Sequence, residues 1–285
     1  MAVAIVIAAL VLLSIAFQLL TPWWQTPLAS NWGSIDTALQ ITMWVCGLVF
    51  VALNVFLAFS IFRYRHRRGH RAHYDPESVT LERRLTVWTA VGIAALLAPG
   101  LIAWKQFVTV PKDAAVFEAV GQQWQWSFRF PGKDGVLGTV NTRRISPDNP
   151  FGLNPDDPYG RDDILVDGAE VHLPIGRPIK AVLRSKDVLH DFFVPQIRAK
   201  MDLVPGTVTY FWFTPTRTGR FEILCAELCG VSHYAMRGAM VVDEKPAFDA
   251  WLSQQPTFAQ SMAEAGQATP PNAVAKNDFP VKSVN

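Results

Sequence analysis

Three long apolar runs near the start of the chain constrain its fold more than any other feature. They cover 2–20, 38–62 and 85–104, and no acidic or basic side chain interrupts them. A helix needs about 20 apolar residues to cross the hydrocarbon core of a bilayer, so each run predicts a membrane-spanning helix. The mean hydropathy of the whole chain is only +0.16. This value indicates a small anchor attached to a polar domain, rather than a bundle of spanning helices.

The first run could also be read as a signal peptide. Such a peptide carries basic residues before its apolar segment. The first Lys or Arg of this chain is Arg63, well beyond the run. We therefore expect a retained first helix in addition to the two-helix hairpin formed by the second and third runs.

The loop 63–84 between the second and third runs is strongly basic, with seven arginines against three acidic residues. Basic loops of this kind face the cytoplasm. The loop taken alone could suggest nucleic-acid binding, but its position between two spans favours a topology signal, and we expect no nucleic-acid partner. We expect His66, His70 and His73 to be solvated. The rest of the chain is expected on the periplasmic side of a bacterial-type inner membrane.

The pattern changes after residue 110. Short alternating apolar runs, separated by Gly, Pro and Asp, continue to residue 245. Such runs predict an antiparallel β-sandwich or barrel. The sequence is therefore divided into an anchor (1–110), a β-domain (111–245) and a C-terminal part (246–285). In the last part we expect a short helix over 246–254 and a flexible tail from Met262 onward.

Five potential metal-binding side chains lie in the second half of the β-domain. The run from Cys225 to Met236 reads CAELCGVSHYAM, and His190 lies 35 residues upstream of it. Thiolate and thioether ligands select soft metals, and imidazole suits copper. A single blue-copper site needs one cysteine, two histidines and a methionine. Since Cys229 adds a second thiolate to that set, the pattern indicates two metals bridged by two sulfurs.

Two simpler interpretations of the cysteines remain as alternatives. A disulfide is the ordinary expectation in an oxidising compartment, but it leaves His190, His233 and Met236 without a role. Zinc accepts two cysteines and two histidines, yet the methionine and the spacing are not typical of a zinc finger or ribbon. Copper explains the most residues.

The copper motif resembles that of the cytochrome c oxidase subunit II family, whose dinuclear copper centre is called CuA. The resemblance rests on Asp187–His190, Asp202–Gly206, Cys225–Met236 and the segment Gln123-Trp-Gln-Trp126, together with the anchor. It implies an α+β membrane protein, in which the transmembrane helices precede a cupredoxin-like Greek-key β-barrel.

The resemblance also implies roles for individual residues at the metal centre. Cys225 and Cys229 would bridge both coppers. One copper would add His190 and Met236, and the other would add His233 and the backbone carbonyl of Glu227. The carboxylate of Glu227 would bind a magnesium ion shared with the catalytic subunit.

Further implied roles concern electrons and protons. The partners would be cytochrome c as donor, the haem-copper catalytic subunit I, other oxidase subunits and the lipid bilayer. Trp124 would be the point of electron entry, while Asp167 and Asp187 would help to dock the donor. Because aromatic residues alternate from 124 to 130, Trp124 is expected to be buried unless the strand bends or ends there. Glu82 is a candidate entrance to a proton pathway, or else an interfacial residue paired with a neighbouring arginine.

The segment 141–167 is a long connection rich in Pro, Asn, Asp and Gly. It is expected to be either a solvated loop or an acidic docking patch for a basic donor. The implied activity is electron entry into a respiratory cytochrome c oxidase, with oxygen reduction and proton pumping in its partners. A CuA-bearing nitric oxide reductase and a membrane-tethered copper carrier or assembly protein remain as alternatives.

Overall fold

Three helices form the N-terminal anchor of the protein, whose computed structural model describes residues 2–21, 26–69, 71, 74, 76–166 and 168–268. The helices are α1 (Ala2–Leu20), α2 (Gly33–Arg63) and α3 (Val79–Val108). Each of the three is long and apolar enough to cross a membrane. Both α2 and α3 extend beyond the apolar runs that predicted them, since the polar ends of a spanning helix can lie outside the hydrocarbon core.

The start of α3 contains Glu82, which lies in the first turn and is exposed. Ser78 caps this helix, and its hydroxyl accepts a hydrogen bond from the backbone N–H of Leu81 at 3.4 Å. In the basic loop, His66 is exposed as expected. The expectations for His70 and His73 lie outside the described residues.

In the described part of the chain, ten strands form two packed sheets of five strands each. The first sheet has the order β3-β2-β1-β5-β8, and the second has the order β4-β10-β9-β6-β7. The strands are β1 (Ala115–Gln122), β2 (Gln125–Phe130), β3 (Ile164–Val166), β4 (Glu170–Pro174), β5 (Ile179–Ser185), β6 (His190–Val194), β7 (Ala199–Leu203), β8 (Thr209–Phe213), β9 (Gly219–Cys225) and β10 (Arg237–Asp243).

The predicted fold class is confirmed: spanning helices precede a cupredoxin-like β-sandwich. One detail differs from the sequence prediction of an antiparallel arrangement, because β1 lies parallel to β5 and β4 lies parallel to β10. Parallel neighbours need a connection of a dozen or more residues. The long segments between these partner strands provide such connections, and a pattern of alternating residues does not reveal which strands become neighbours.

The core between the sheets is largely aromatic. Phe117 of β1, Phe192 of β6 and Phe211 of β8 are fully buried, and the ring of Phe192 contacts the other two at centroid distances of 6.4 and 5.9 Å. Burying one such side chain contributes about 1.5–3 kcal/mol. This packed core supports the first residue of β6, which is His190.

A buried ion network fixes the long connection between β2 and β3. Arg129 pairs with Glu118 at 2.6 Å and also with Asp163, while Arg184 binds the other oxygen of Glu118 at 2.5 Å. Asp163 also accepts the backbone N–H of Gly138 at 3.0 Å. The connection is therefore tied to the sandwich at both of its ends.

The C-terminal part contains the helices α4 (Lys245–Leu252) and α5 (Phe258–Ala268). A short helix over 246–254 was expected, but the prediction of a flexible tail from Met262 is wrong for 262–268, which are helical. The reason is tertiary: Phe258 is buried in a cluster with Val120 and Leu165, and its N–H donates to the carbonyl of Asp163 at 2.8 Å. Residues 269–285 lie outside the described residues.

Direct contacts join the anchor to the sandwich. The indole N–H of Trp32 donates to the carbonyl of Trp212, and the indole N–H of Trp212 donates to the carbonyl of Gln106, each at 2.9 Å. Arg198 forms an ion pair with Asp36 of α2 at 2.6 Å. The backbone of Arg198 is left-handed, with φ of 58°.

Candidate metal centre

The register of two strands brings distant metal-binding residues together. β6 and β9 are antiparallel, and Phe192 is paired with Cys225 at the last residue of β9. His190 lies two residues before Phe192, so this register carries it past the end of β9 to the level of the following loop. Phe221, Ile223 and Cys225 are buried, because alternate residues of a strand point to the same face and those of β9 face the core.

The two thiols lie side by side in the metal loop, which we define as residues 225–236. The Sγ atoms of Cys225 and Cys229 are 3.7 Å apart. A disulfide bond is about 2.05 Å long, so these cysteines are free thiols in this conformation. The loop returns toward β10 through a short 3-10 helix at His233–Ala235.

Each thiol has an imidazole nitrogen beside it. The Nδ1 atom of His190 lies 3.9 Å from Cys225 Sγ, and the Nδ1 atom of His233 lies 3.6 Å from Cys229 Sγ. The thioether sulfur of Met236 lies 3.9 Å from Cys229 Sγ. A metal bonded to a thiolate at about 2.3 Å and to an imidazole at about 2.0 Å, with tetrahedral angles, separates the two donors by about 3.5 Å. The donors therefore fit a metal site.

The backbone and the surrounding burial complete the candidate site. The carbonyl oxygen of Glu227 lies 3.2 Å from Cys225 Sγ. His190, Cys225, Cys229 and Met236 are buried, whereas His233 is half-buried. All six residues predicted as copper ligands thus converge on one small region beneath the surface. Burial excludes water from the sulfur atoms.

A carboxylate supports the buried imidazole. Asp187 Oδ1 lies 2.8 Å from His190 Nε2. Burial opposes ionisation of Asp187, but hydrogen bonds from the backbone of Gln123, from His190 and from Val188 lower its pKa. An ionised carboxylate only accepts hydrogen bonds, so Nε2 of His190 carries the proton. Burial lowers the pKa of His190, but hydrogen bonds to Cys225 and Asp187 raise it above its ordinary value. Nδ1 faces the thiols, so it donates to Cys225 when the ring is protonated and offers its lone pair there when the ring is neutral.

The two thiols differ in acidity. Burial would raise the pKa of Cys225, but hydrogen bonding with His190 and with the backbone lowers it to about 6. Burial and the neighbouring Cys225 raise the pKa of Cys229 to about 12. Without metal, one thiolate therefore accepts a hydrogen bond from the other thiol at neutral pH. Metal binding requires both thiols to be deprotonated.

Trp124 lies in the turn between β1 and β2, where the first strand has ended. The alternating pattern predicted burial unless the strand ended at this residue; the strand does end there, and Trp124 is 36% exposed while Trp126 is buried. The indole N–H of Trp124 donates to the carbonyl of Cys229 at 3.3 Å, and the side-chain amide of Gln123 donates to the same oxygen at 2.8 Å. This turn is therefore attached directly to the metal loop.

Gly230 permits the close approach of this turn. Its φ is +126°, a backbone conformation that side chains rarely adopt. A Cβ atom at Gly230 would lie 3.0 Å from Gln123 Nε2 and 3.1 Å from Cζ2 of Trp124. Gly230 is therefore favoured for two reasons: its backbone conformation disfavours other residues, and a Cβ atom would crowd the side chains of Gln123 and Trp124.

The segment 141–167 does not form a free acidic patch in its described part. Asp157 accepts hydrogen bonds from the backbone and hydroxyl of Thr139 at 2.8 and 2.6 Å, and Asp162 accepts the N–H of Lys133 at 2.7 Å. Asp163 is fully buried in the ion network. Asp148 and Asp156 remain exposed. The predicted docking residue Asp167 lies outside the described residues.

Sequence reasoning missed two residues next to the candidate site. Asp191 follows His190 and is buried, and its Oδ1 atom has no hydrogen-bond partner within the described part of the chain. Burial and a hydrogen bond with Asp202 raise its pKa to about 7. Trp126 packs against the ring of His190 at 6.5 Å. The opposed positions of Asp191 and Asp202 depend on strand pairing, which the sequence pattern does not specify.

Similar proteins identify the family. A family model described as cytochrome c oxidase subunit II, periplasmic domain, matches residues 115–244. The alternative cytochrome c oxidase subunit 2 of Bradyrhizobium diazoefficiens is 57% identical over 259 residues, which cover 91% of this chain and 94% of that protein.

More distant relatives share the same description. Cytochrome c oxidase subunit 2 of Cereibacter sphaeroides is 28% identical over 244 residues, covering 80% of each chain. The corresponding protein of Thermostichus vulcanus is 26% identical over 250 residues, covering 79% of this chain and 76% of that protein. The high identity to the Bradyrhizobium protein extends across the anchor and the sandwich. This chain therefore belongs to the cytochrome c oxidase subunit II family.

Proposed function

We propose that the protein is the electron-entry subunit of a respiratory cytochrome c oxidase and holds a dinuclear CuA centre. In this role it receives electrons from cytochrome c and delivers them to the haem of catalytic subunit I, where oxygen is reduced to water with proton pumping. The observation that carries the proposal is the pair of free thiols 3.7 Å apart, each with an imidazole nitrogen beside it.

The side chains of the metal loop have distinct roles in this proposal. When bound, a thiolate-bridged copper pair supplies one-electron redox chemistry with little change of geometry. Cys225 and Cys229 would hold both metals, and His190 and Met236 would complete one ligand set. His233 and the carbonyl of Glu227 would complete the other. The rigid sandwich below the loop and the Asp187 hydrogen bond keep His190 oriented, which is how a neighbouring carboxylate supports a ligand.

Trp124 is proposed as the residue through which the electron enters. Trp124 is partly exposed, and its indole N–H donates to the carbonyl of Cys229, which would hold both coppers. The route from the surface to the metal loop therefore passes through one side chain and one hydrogen bond. Asp187 and Asp167 are the proposed docking carboxylates, although Asp187 is already engaged with His190.

Two further roles complete the proposal. The carboxylate of Glu227 binds magnesium at the boundary with subunit I. Glu82 receives protons at the inner end of α3, a role supported by its exposure in the first turn of that helix. Residues 1–110 anchor the subunit by several membrane passes, residues 111–245 carry the copper centre on the periplasmic side, and 246–285 form the C-terminal part.

The competing functions make different demands on the site. A copper carrier must release its metal, which favours exposed ligands, whereas four of the ligand side chains here are buried. A nitric oxide reductase would use the same subunit, so the gas consumed has to be determined on the assembled complex.

The deciding experiment is metal analysis and electron paramagnetic resonance of the complex purified with this chain. We expect two coppers in this subunit and one unpaired electron whose hyperfine pattern contains more lines than one nucleus can give. A single-nucleus pattern, or no copper in this subunit, would contradict the proposal. Oxygen and nitric oxide consumption by the same sample would then identify the terminal acceptor.

A further inference from the structure

An apolar collar surrounds the surface above the candidate metal centre. We define the collar as Trp124, Leu228, Val231 and Tyr234. The last three belong to the metal loop and are 77%, 84% and 78% exposed, while Trp124 is 36% exposed. Large exposed apolar residues are ordinary when they are scattered singly. Three of them within seven residues of one loop, together with an exposed tryptophan, indicate an interaction surface.

Within the collar, Trp124 contacts the metal loop directly. The indole of Trp124 lies against Gly230, which separates Cys229 from Val231. Leu228 and Val231 therefore flank the short stretch of backbone on which the tryptophan rests. A molecule that contacts the exposed face of Trp124 meets these apolar side chains at the same time.

In the described part of the chain, several carboxylates that could form an acidic rim are engaged within the protein, while Asp148 and Asp156 of the long connection are exposed. Asp187 accepts the backbone N–H of Gln123, the residue before Trp124, at 2.7 Å and is bound to His190. Asp157, Asp162 and Asp163 satisfy groups of their own domain. Glu222 forms an ion pair with Arg237, the residue that follows the metal loop.

The basic side chains described in this region do not form a positively charged rim either. Lys186, next to Asp187, donates to the side-chain oxygen of Gln122 at 2.7 Å. Burial and the nearby Arg184 lower the pKa of Lys186. The described charges around Trp124 are thus mixed in sign and largely used in local contacts.

The collar also lies away from the segment that holds the sandwich to the anchor. β6 begins at His190 and ends at Val194, after which the chain contacts the N-terminal segment through Gln196, whose carbonyl accepts the N–H of Ala29 at 2.8 Å. Five residues of strand span about 16 Å. The metal end of β6 and its anchor end are therefore well separated.

We propose that the collar is the docking surface for a soluble redox protein whose cofactor edge is ringed by uncharged, apolar side chains. This inference rests on the proposed function and specifies the chemistry of the donor. In the encounter, the donor cofactor is oxidised by one electron and the metal centre gains that electron. Apolar contact with the collar, rather than attraction between opposite charges, selects the donor.

The inference predicts a weak response to salt. Charge complementarity chiefly accelerates encounter, and that acceleration is screened by ions. Raising the ionic strength from about 0.01 M to about 0.15 M shortens the Debye length from about 30 Å to about 8 Å. An encounter based on apolar contact changes little over this range, whereas one steered by an acidic patch becomes much slower.

The first test measures kcat/KM of the assembled oxidase with reduced horse-heart cytochrome c, a basic probe, over this range of ionic strength. We expect kcat/KM to vary by less than about threefold, far below the loss seen when charge steering is screened. A fall of tenfold or more would overturn the inference. Metal analysis and paramagnetic resonance of the same sample test the proposed function separately.

The second test replaces collar residues and uses Val231→Asn and Leu228→Asn. We expect each to raise KM for the probe about tenfold at both ionic strengths, as loss of an important interface contact does, with kcat and the copper spectrum unchanged. Val136→Asn is the matched control, because Val136 is an exposed valine of the same domain outside the collar, and its KM should stay at the original value.

Two outcomes of the second test would contradict the inference. If the collar variants leave KM unchanged, the donor docks elsewhere. If they prevent the catalytic subunit from copurifying, the collar belongs to the interface with that subunit. A lost copper spectrum in the unmodified complex would instead contradict the proposed function, so the two failures are distinguishable.

Discussion

Asp187 accepts a hydrogen bond from Nε2 of His190 at 2.8 Å, while its other oxygen accepts the backbone N–H of Gln123 at 2.7 Å. One carboxylate therefore joins the buried imidazole to the turn that presents Trp124. The contact fixes the ring so that Nδ1 faces the thiols. A residue whose position suggests donor docking is thus also a structural part of the candidate metal centre.

We predict that Asp187→Asn weakens copper binding. The amide lacks the negative charge that holds the His190 proton at Nε2, and loss of such a supporting partner lowers metal affinity by about 10–100-fold. The measurement is copper retention during titration with a chelator. Asp113→Asn, which changes an exposed acid before β1, is the control and should retain copper normally. Equal retention by both variants would show that the hydrogen bond does not support the metal.

Cys229→Ser is predicted to destroy the dinuclear site, because a hydroxyl cannot replace a bridging thiolate. Met236→Leu removes only a weak ligand of similar size, so it should retain two coppers but make them unequal. Copper content and the paramagnetic resonance spectrum of the purified complex check both results. Normal electron transfer by Cys229→Ser would refute the dinuclear assignment.

Replacing Trp124 by Phe is predicted to slow electron entry without loss of copper. The aromatic ring remains, but the hydrogen bond to the carbonyl of Cys229 is lost. Rapid-mixing measurement of copper reduction by cytochrome c reports this step directly, and the copper spectrum shows whether the site is intact. An unchanged rate would mean that electrons reach the loop by another route.

Arg129→Met is predicted to destabilise the sandwich by about 3–5 kcal/mol, the usual cost of leaving a buried charge without its partner. Glu118 would keep Arg184, but Asp163 would lose its cation. The free energy of unfolding of the purified chain in detergent measures the loss. The exposed Arg143→Met is the control, and its change should stay within about 0.5 kcal/mol.

The stability of the sandwich should also fall in acid because of Glu118. Burial opposes ionisation of this group, but Arg129 and Arg184 lower its pKa below the ordinary 4.5. The unfolded chain then binds the proton more readily, so the contribution of Glu118 is present above pH 4.5 and is lost as the pH falls through the folded pKa. Thermal unfolding between pH 6 and pH 3 should show this loss, and Glu118→Gln should show a shallower decline.

The sequence was sufficient to propose the donor set, which the fold then brings together, because four of its members lie within one loop. The spacing of Cys225, Cys229, His233 and Met236 identifies soft-metal chemistry without any tertiary information, and a short search upstream finds His190. The apolar runs likewise predicted the three helices, since a bilayer demands a minimum length of continuous apolar residues.

Interactions between distant segments could not be predicted from local patterns. Asp163 looks like one of several solvated acids, yet it is buried against Arg129, 34 residues away. Trp124 continues an alternating aromatic pattern, yet the turn falls at that residue. Residues 262–268 contain one large apolar side chain, Met262, and the buried ring of Phe258 at the start of α5 orders them. In each case strand pairing or packing, rather than the residue type, decides whether the residue is buried, exposed or part of a helix.

The ion pair between Arg198 and Asp36 has a mechanical consequence. Together with the hydrogen bond between Ala29 and Gln196, it secures the end of β6 to the first turns of α2. The probability of electron tunnelling falls steeply with distance. If the sandwich moved relative to the helices, the tunnelling distance would vary, and the rate of electron transfer would vary with it. If the protein has the proposed function, a domain fastened at this point would keep one tunnelling distance to a cofactor of the catalytic subunit, and therefore one rate.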